Sequence, residues 1–126
     1  MSVTESWRSL QFLEAMKRTA VAVEGEDIWG FRRGMNHVVC LARVKQDGPR
    51  LIVVTDMKTS VKSSEGGHFA LGFLNILSDI FDVTIVADVD GFDELSARGV
   101  DETGFYRDAQ TGLFVRLPQS LGRQAA

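Results

Sequence analysis

The chain has 126 residues, a formal net charge of −3, and 44% hydrophobic and 25% charged residues. That is enough for one domain with a real core and too few residues for two. The acidic balance argues against general nucleic-acid binding, which uses a basic footprint, and no apolar run reaches the roughly 18–20 residues of a membrane span.

The start MSVTESWRSL has neither the basic opening nor the apolar core of a secretory leader, so none is expected. Thr4 can cap a first helix, in which Trp7, Leu10, Leu13 and Met16 make an apolar stripe. That helix is expected to end by Val23, before a turn over residues 24–27. A strand, DIWGFRR, follows, with Trp29 read as core or interface and Arg32 and Arg33 as solvated. Gly34, Met35 and Asn36 mark the next turn, and HVVCLARV is the next strand. Cys40, the single cysteine, reads as a buried and inert thiol. It cannot form an internal disulfide, which fits a reducing, cytoplasmic setting. QDGP, residues 46–49, is a hairpin turn, and RLIVVTDM returns antiparallel.

A loop, KTSVKSSEGG, then leads into a helix from about Gly66 to Phe81. Phe69, Phe73, Ile76, Leu77 and Ile80 are expected on its buried face, with Leu71, Leu74 and Phe81 on a second apolar flank. VTIVADV is nearly continuous apolar, as a central parallel strand should be. GFDELSARG is a short helix capped by Asp90. ETGFYRDAQTGLFVRLP gives two short strands around a Gln-Thr-Gly turn, with Phe105 and Tyr106 on opposite faces. Pro118 closes the last strand, and SLGRQAA is expected to fray. The fold class is therefore α/β (α+β): a mixed, mostly antiparallel sheet with one βαβ crossover and helices packed on its faces.

Three places in this layout carry chemistry. The glycine pair Gly66–Gly67 opens a helix directly after a strand. The first backbone N–H groups there are unpaired and the helix dipole is positive, which suits a phosphate. His68, in the first turn, can bond a phosphate or face solvent. Asp56 and Lys58 form a D-x-K pair at the end of a hairpin strand. They read as a surface ion pair, or as a metal-binding acid with a water-activating lysine. Asp88, Asp90 and Asp93 cluster after the parallel strand without calcium-loop spacing. Tyr106 is the only tyrosine that could serve as an acid.

The order of elements resembles the GNAT family of acyl-CoA-dependent N-acyltransferases over nearly the whole chain. In that family a central strand enters a pyrophosphate loop of pattern Q/R-x-x-G-x-G/A at a helix N-terminus, followed by a strand, a short helix and a closing hairpin. SSEGGHFAL puts Ser63 at the Q/R position, Gly66 at the first glycine and His68 at the second. Ala70-Leu71 match the small-apolar pair that starts the family's helix. Arg98-Gly99-Val100 and LFVRLP resemble the family's ending. The tyrosine acid of many members is Leu95 here, and no glutamate base stands on the central strand. The resemblance implies an acetyl-CoA site at Met57, Thr59, Ser64, Gly66, Gly67 and His68, with backbone around Met57–Thr59 polarising the thioester. The catalytic acid and base stay unassigned. A small-molecule or protein amine would be the acceptor, no membrane is involved, and a homo-oligomer is allowed. The alternatives are a non-catalytic interaction module on the same fold and, from Asp56 and Lys58, a PD-(D/E)xK nuclease remnant.

Overall fold

The computed structural model describes residues 3–23, 27–33, 37–60 and 65–119. Residues 24–26 of the turn expected over 24–27, the turn at 34–36, Lys62, Ser63, Ser64 and the tail after Gln119 lie outside the described residues, as does the side chain of Trp7. In chain order the elements are α1 (Val3–Lys17), β1 (Val21–Ala22), β2 (Ile28–Arg32), β3 (Val38–Gly48), β4 (Leu51–Thr59), α2 (Glu65–Phe81), β5 (Thr84–Asp88), a 3-10 turn (Val89–Gly91), α3 (Glu94–Glu102), β6 (Tyr106–Arg107) and β7 (Phe114–Arg116). The strands make one seven-stranded sheet in the order β1-β2-β3-β4-β5-β7-β6. Among the described strands only β4 and β5 pair in parallel, and α2 is the crossover between them. The fold is α+β.

Alternation decides which face of the sheet is inside. Phe31, Cys40, Ala42, Val44, Ile52, Val54, Ile85 and Ala87 are buried on one face. The residues that alternate with them along the strands, Leu41, Val53, Thr55 and Val86, are only half-buried. All three helices pack on the first face: α1 and α3 each touch α2, and α1 and α2 both touch β3. The expectation of helices on more than one face is corrected: among the described residues the helices share one face of the sheet and no described helix covers the other.

Several boundaries differ from the sequence reading. α1 starts at Val3, which places Thr4 inside the helix instead of before it. Its inward residues are Ser9, Phe12 and Met16, whereas Leu10 is exposed. Ser9 draws that face inward, because its hydroxyl donates to the Gly48 carbonyl and accepts from Gln46. α1 ends at Lys17, and Val21–Ala22 adds an edge strand to β2. β4 runs two residues past Met57, with a bulge at Asp56, whose φ is 54°. Asp93, not Asp90, caps α3 through Ser96 N–H, while Asp88 caps the 3-10 turn. A 3-10 turn with its own cap uses up Asp90, so α3 starts later than the sequence suggests.

The largest correction concerns α2. Its buried residues are Gly66, Gly67, Ala70, Leu71, Leu74, Asn75, Leu77 and Ser78. Ile76 and Ile80 are 59% and 55% exposed and Phe69 is 37% exposed. The flank of Leu71 and Leu74 is therefore the core face, and most of the stripe expected to be buried faces out. The helix is apolar nearly all round, so apolar periodicity alone could not choose its rotation. Close contacts at its first turn choose it instead.

Arg116 of β7 ties the C-terminal hairpin to α2. Its guanidinium donates to both carboxylate oxygens of Asp79 at 2.8 and 3.2 Å, and Gln119 N–H donates to the same carboxylate at 2.7 Å. The two side chains are 11% and 17% exposed. Removing one partner of such a nearly buried pair strands the other charge. At the far end of α2, Asp82 accepts from Arg8 at 3.3 Å and lies 3.6 Å from Arg50, which joins α1, the β3–β4 turn and the helix end. Among the described residues no helix is long and apolar enough to cross a membrane. Arg116→Met should lower the unfolding free energy by about 2–3 kcal/mol. Urea denaturation checks this through a lower midpoint at unchanged slope.

Candidate functional site

The end of β4 and the start of α2 are where the sequence places a ligand. The parallel pairing of β4 with β5 ends at Thr55↔Asp88, and four more β4 residues, Asp56–Thr59, continue beyond it. Past that point β4 still pairs with β3, through Leu41↔Lys58 and Cys40↔Thr59. Its other edge would be open if β5 simply diverged.

That edge is covered by the chain itself. The 3-10 turn after β5 folds against β4. Gly91 sits so close to Asp56 that a Cβ on it would overlap the Asp56 carboxylate. Asp93 then makes two bonds to the strand: its N–H donates to the Met57 carbonyl at 3.0 Å, and its carboxylate accepts from Thr59 N–H at 2.9 Å. The same carboxylate accepts from Ser96 N–H at 2.8 Å, capping α3. One acidic side chain thus joins β4 to the start of α3. A hydrogen bond to a charged acceptor contributes about 1.5–3 kcal/mol, so a ligand must exceed that to take the Thr59 donor.

The glycine pair also faces inward. A Cβ on Gly66 would overlap Thr59 Oγ1 and the Val39 carbonyl oxygen, and one on Gly67 would lie 3.1 Å from Ser96 Cα. Gly99 of α3 completes the contact, since a Cβ there would meet Leu71 at 3.3 Å and the Gly67 carbonyl carbon at 3.4 Å. These glycines let α2 approach β3, β4 and α3 closely. Their absent side chains make room for protein, not for a cofactor. His68 is half-buried on the flank of α2, with Nε2 3.3 Å from Glu102. Beside the first turn, Arg33, His37, Val39, Glu65 and Gly66 line a shallow cleft of about 110 Å³. Glu65 stands 3.6 Å from Arg33, so a carboxylate occupies the basic side of that cleft.

Cys40, on β3 beneath this junction, is fully buried. Burial first, and the Asp93 charge second, push its thiol up to about 12, while a backbone contact at Lys58 and the Ser96 hydroxyl offset part of the rise. The Ser96 hydroxyl sits near the thiol yet is without a hydrogen-bond partner among the described residues. A thiol held protonated through neutral pH is neither nucleophile nor metal ligand. The expected Asp56–Lys58 pair is replaced by Asp56 with Arg43 at 3.3 Å. The bulge at Asp56 breaks the strict alternation that would set the two side chains together, and Arg43 reaches across from β3. Tyr106 is exposed, and Phe105 takes the inward position. Trp29 is partly buried against the core, with the Lys17 ammonium 5.9 Å from its ring centroid. Among the described residues no three His, Cys, Asp or Glu side chains gather to hold a metal ion.

The six residues implied for acetyl-CoA therefore divide. Met57, Thr59, Gly66 and Gly67 come together, but their polar groups and open space are used within the protein. His68 lies to one side, and Ser64 is outside the described residues. The described residues do not fit a cofactor arm lying along β4, because the 3-10 turn and Asp93 occupy that edge. Asp93 was the residue that sequence reasoning undervalued. The signal was present: Asp93 stands three residues before Ser96, the spacing of an N-cap to the N–H it satisfies.

Gly66→Ala should cost roughly 2–3 kcal/mol, since a backbone carbonyl cannot move aside as a side-chain end can. Gly72→Ala on the same helix should be neutral or stabilising by up to about 1 kcal/mol, because nothing lies within 4 Å of a Cβ there. Thermal unfolding of the two variants, side by side, checks the contrast; equal effects would contradict it.

Comparison of the chain with protein-family models, with characterised proteins and with solved structures found no match.

Proposed function

We propose that the chain is a non-catalytic interaction module built on a GNAT-like scaffold. The observation that carries this reading is the closed edge of β4, where Asp93 takes both the Met57 carbonyl and the Thr59 N–H. A transferase relying on backbone donors at that edge needs them free to polarise a thioester carbonyl. Here a carboxylate already accepts from Thr59, and a negative charge beside a developing oxyanion opposes it. The buried, protonated Cys40 supplies no nucleophile. The exposed apolar stripe of α2 supplies a surface for binding.

A second reading keeps acyl transfer to an amine. It is favoured by the order of elements: a central strand, a crossover helix, a parallel return strand, a short helix and a closing hairpin. In that reading the 3-10 turn and Asp93 move off β4 when acetyl-CoA binds. Titration with acetyl-CoA separates the two. The module reading predicts no rise in unfolding temperature up to about 1 mM ligand and no amine-dependent release of free thiol. Binding at a hundredfold excess over the dissociation constant would add about 2.7 kcal/mol. A rise of that kind, with thiol release, would replace the first reading with the second.

A further inference from the structure

Beyond Glu65 in its first turn, the outward face of α2 is apolar: Phe69, Ile76 and Ile80 are exposed along it, with Gly72 beside them, while Phe73 at its margin packs edge-on against Phe31. The polar groups flanking it have partners: His68 Nε2 is 3.3 Å from Glu102, Asp79 pairs with Arg116, and Glu65 lies 3.6 Å from Arg33. Beside it, a groove of about 440 Å³ is lined by Leu10, Gln11, Glu14, Ala15, Arg18 and Phe81, and Leu10 of α1 is 44% exposed there. A helix that is apolar all round belongs in an interior, and one protomer covers only half of this one.

We propose that this face binds the same face of a second copy of the chain, with the two α2 helices antiparallel and crossing at Ile76. The reading of the chain as an interaction module is the ground on which this rests. The shape of the face names the occupant. Gly72, Ile76 and Ile80 form one row at four-residue spacing, a ridge of the kind that packs against another helix. Gly72 leaves a gap in that row, with nothing within 4 Å of a Cβ. A two-fold axis at Ile76 brings Ile80 of each copy over Gly72 of the other and sets the two Ile76 side chains against each other. The gap and the projecting side chain are therefore complementary to themselves. A two-fold at Ile76 sets the two Ile76 side chains together, and the Gly72–Ile80 stretch around that axis carries no charge on the row; Glu65, on the same face, stands at the helix start beside Arg33.

The area agrees with a dimer. At on the order of 200 Å² for a full large side chain, the exposed parts of Phe69, Ile76, Ile80 and Leu10 give roughly 400 Å² per copy. Two copies contribute about 800 Å² of apolar surface. A standard interface of about 1,600 Å² is a little over half apolar, which is close to the same amount.

Sedimentation velocity on the full chain, from about 1 to 500 µM, tests this range of micromolar association. The expected result is a concentration-dependent species of twice the mass of one chain. Ile80→Glu and Gly72→Leu should each weaken dimerisation at least about tenfold. Gly72→Leu fills the gap at a site that is open in the protomer and improves helix propensity. It should therefore unfold no earlier than the native chain at a concentration where both are monomeric, which separates lost association from lost folding. A chain that stays monomeric throughout overturns the proposal, as does a dimer that both variants leave unchanged. The two readings fail separately, because turnover of acetyl-CoA would remove the module reading without altering the mass of the assembly.

Discussion

The contact on which the rest of the structure depends is the seating of the first turn of α2 on the ends of β3 and β4. Gly66 lies against Thr59 and the Val39 carbonyl, and Gly67 against Ser96 of α3. An alanine at Gly66 has no room, so the rotation of α2 about its axis is fixed at its start. Once fixed, Leu71, Leu74 and Leu77 point to the sheet, and Ile76 and Ile80 must point away. The same seating brings α3 beside α2 and carries Asp93 to the edge of β4. Core, closed edge and exposed stripe follow from one close approach.

Closure of the β4 edge is a matter of polar satisfaction. Beyond Thr55, β4 has lost β5 as a partner, and unpaired backbone groups beside a buried Met57 are costly. Asp93 supplies a donor to Met57 and an acceptor to Thr59 from one residue, and its side chain also caps α3. Strand end and helix start are therefore stabilised together.

Much of the architecture was legible in the sequence because its signals were local. Alternation in HVVCLARV and RLIVVTDM marked the antiparallel pair β3–β4. The continuous apolar run VTIVADV marked the parallel strand, and the glycine pair marked the crossover. What was not legible depends on contacts distant in sequence. The rotation of α2 is set by Thr59, Val39 and Ser96, and an all-round apolar helix carries no record of it. The bulge at Asp56 shows only once Gly91 and Arg43 lie beside it. The glycine pair illustrates the ambiguity. A residue without a side chain admits a phosphate or a neighbouring backbone equally well, and only the packed structure distinguishes them.

The closed edge of β4 is most directly tested at the Thr59 amide. With its N–H held by the Asp93 carboxylate, hydrogen exchange of Thr59 followed by NMR should be slowed as strongly as that of the core strands, and should become fast in Asp93→Ala while Ile52 and Val54 stay protected. Addition of acetyl-CoA should leave the native rate unchanged. A Thr59 amide that exchanges as fast as an exposed loop in the native chain, or that gains protection only when acetyl-CoA is present, would contradict the account.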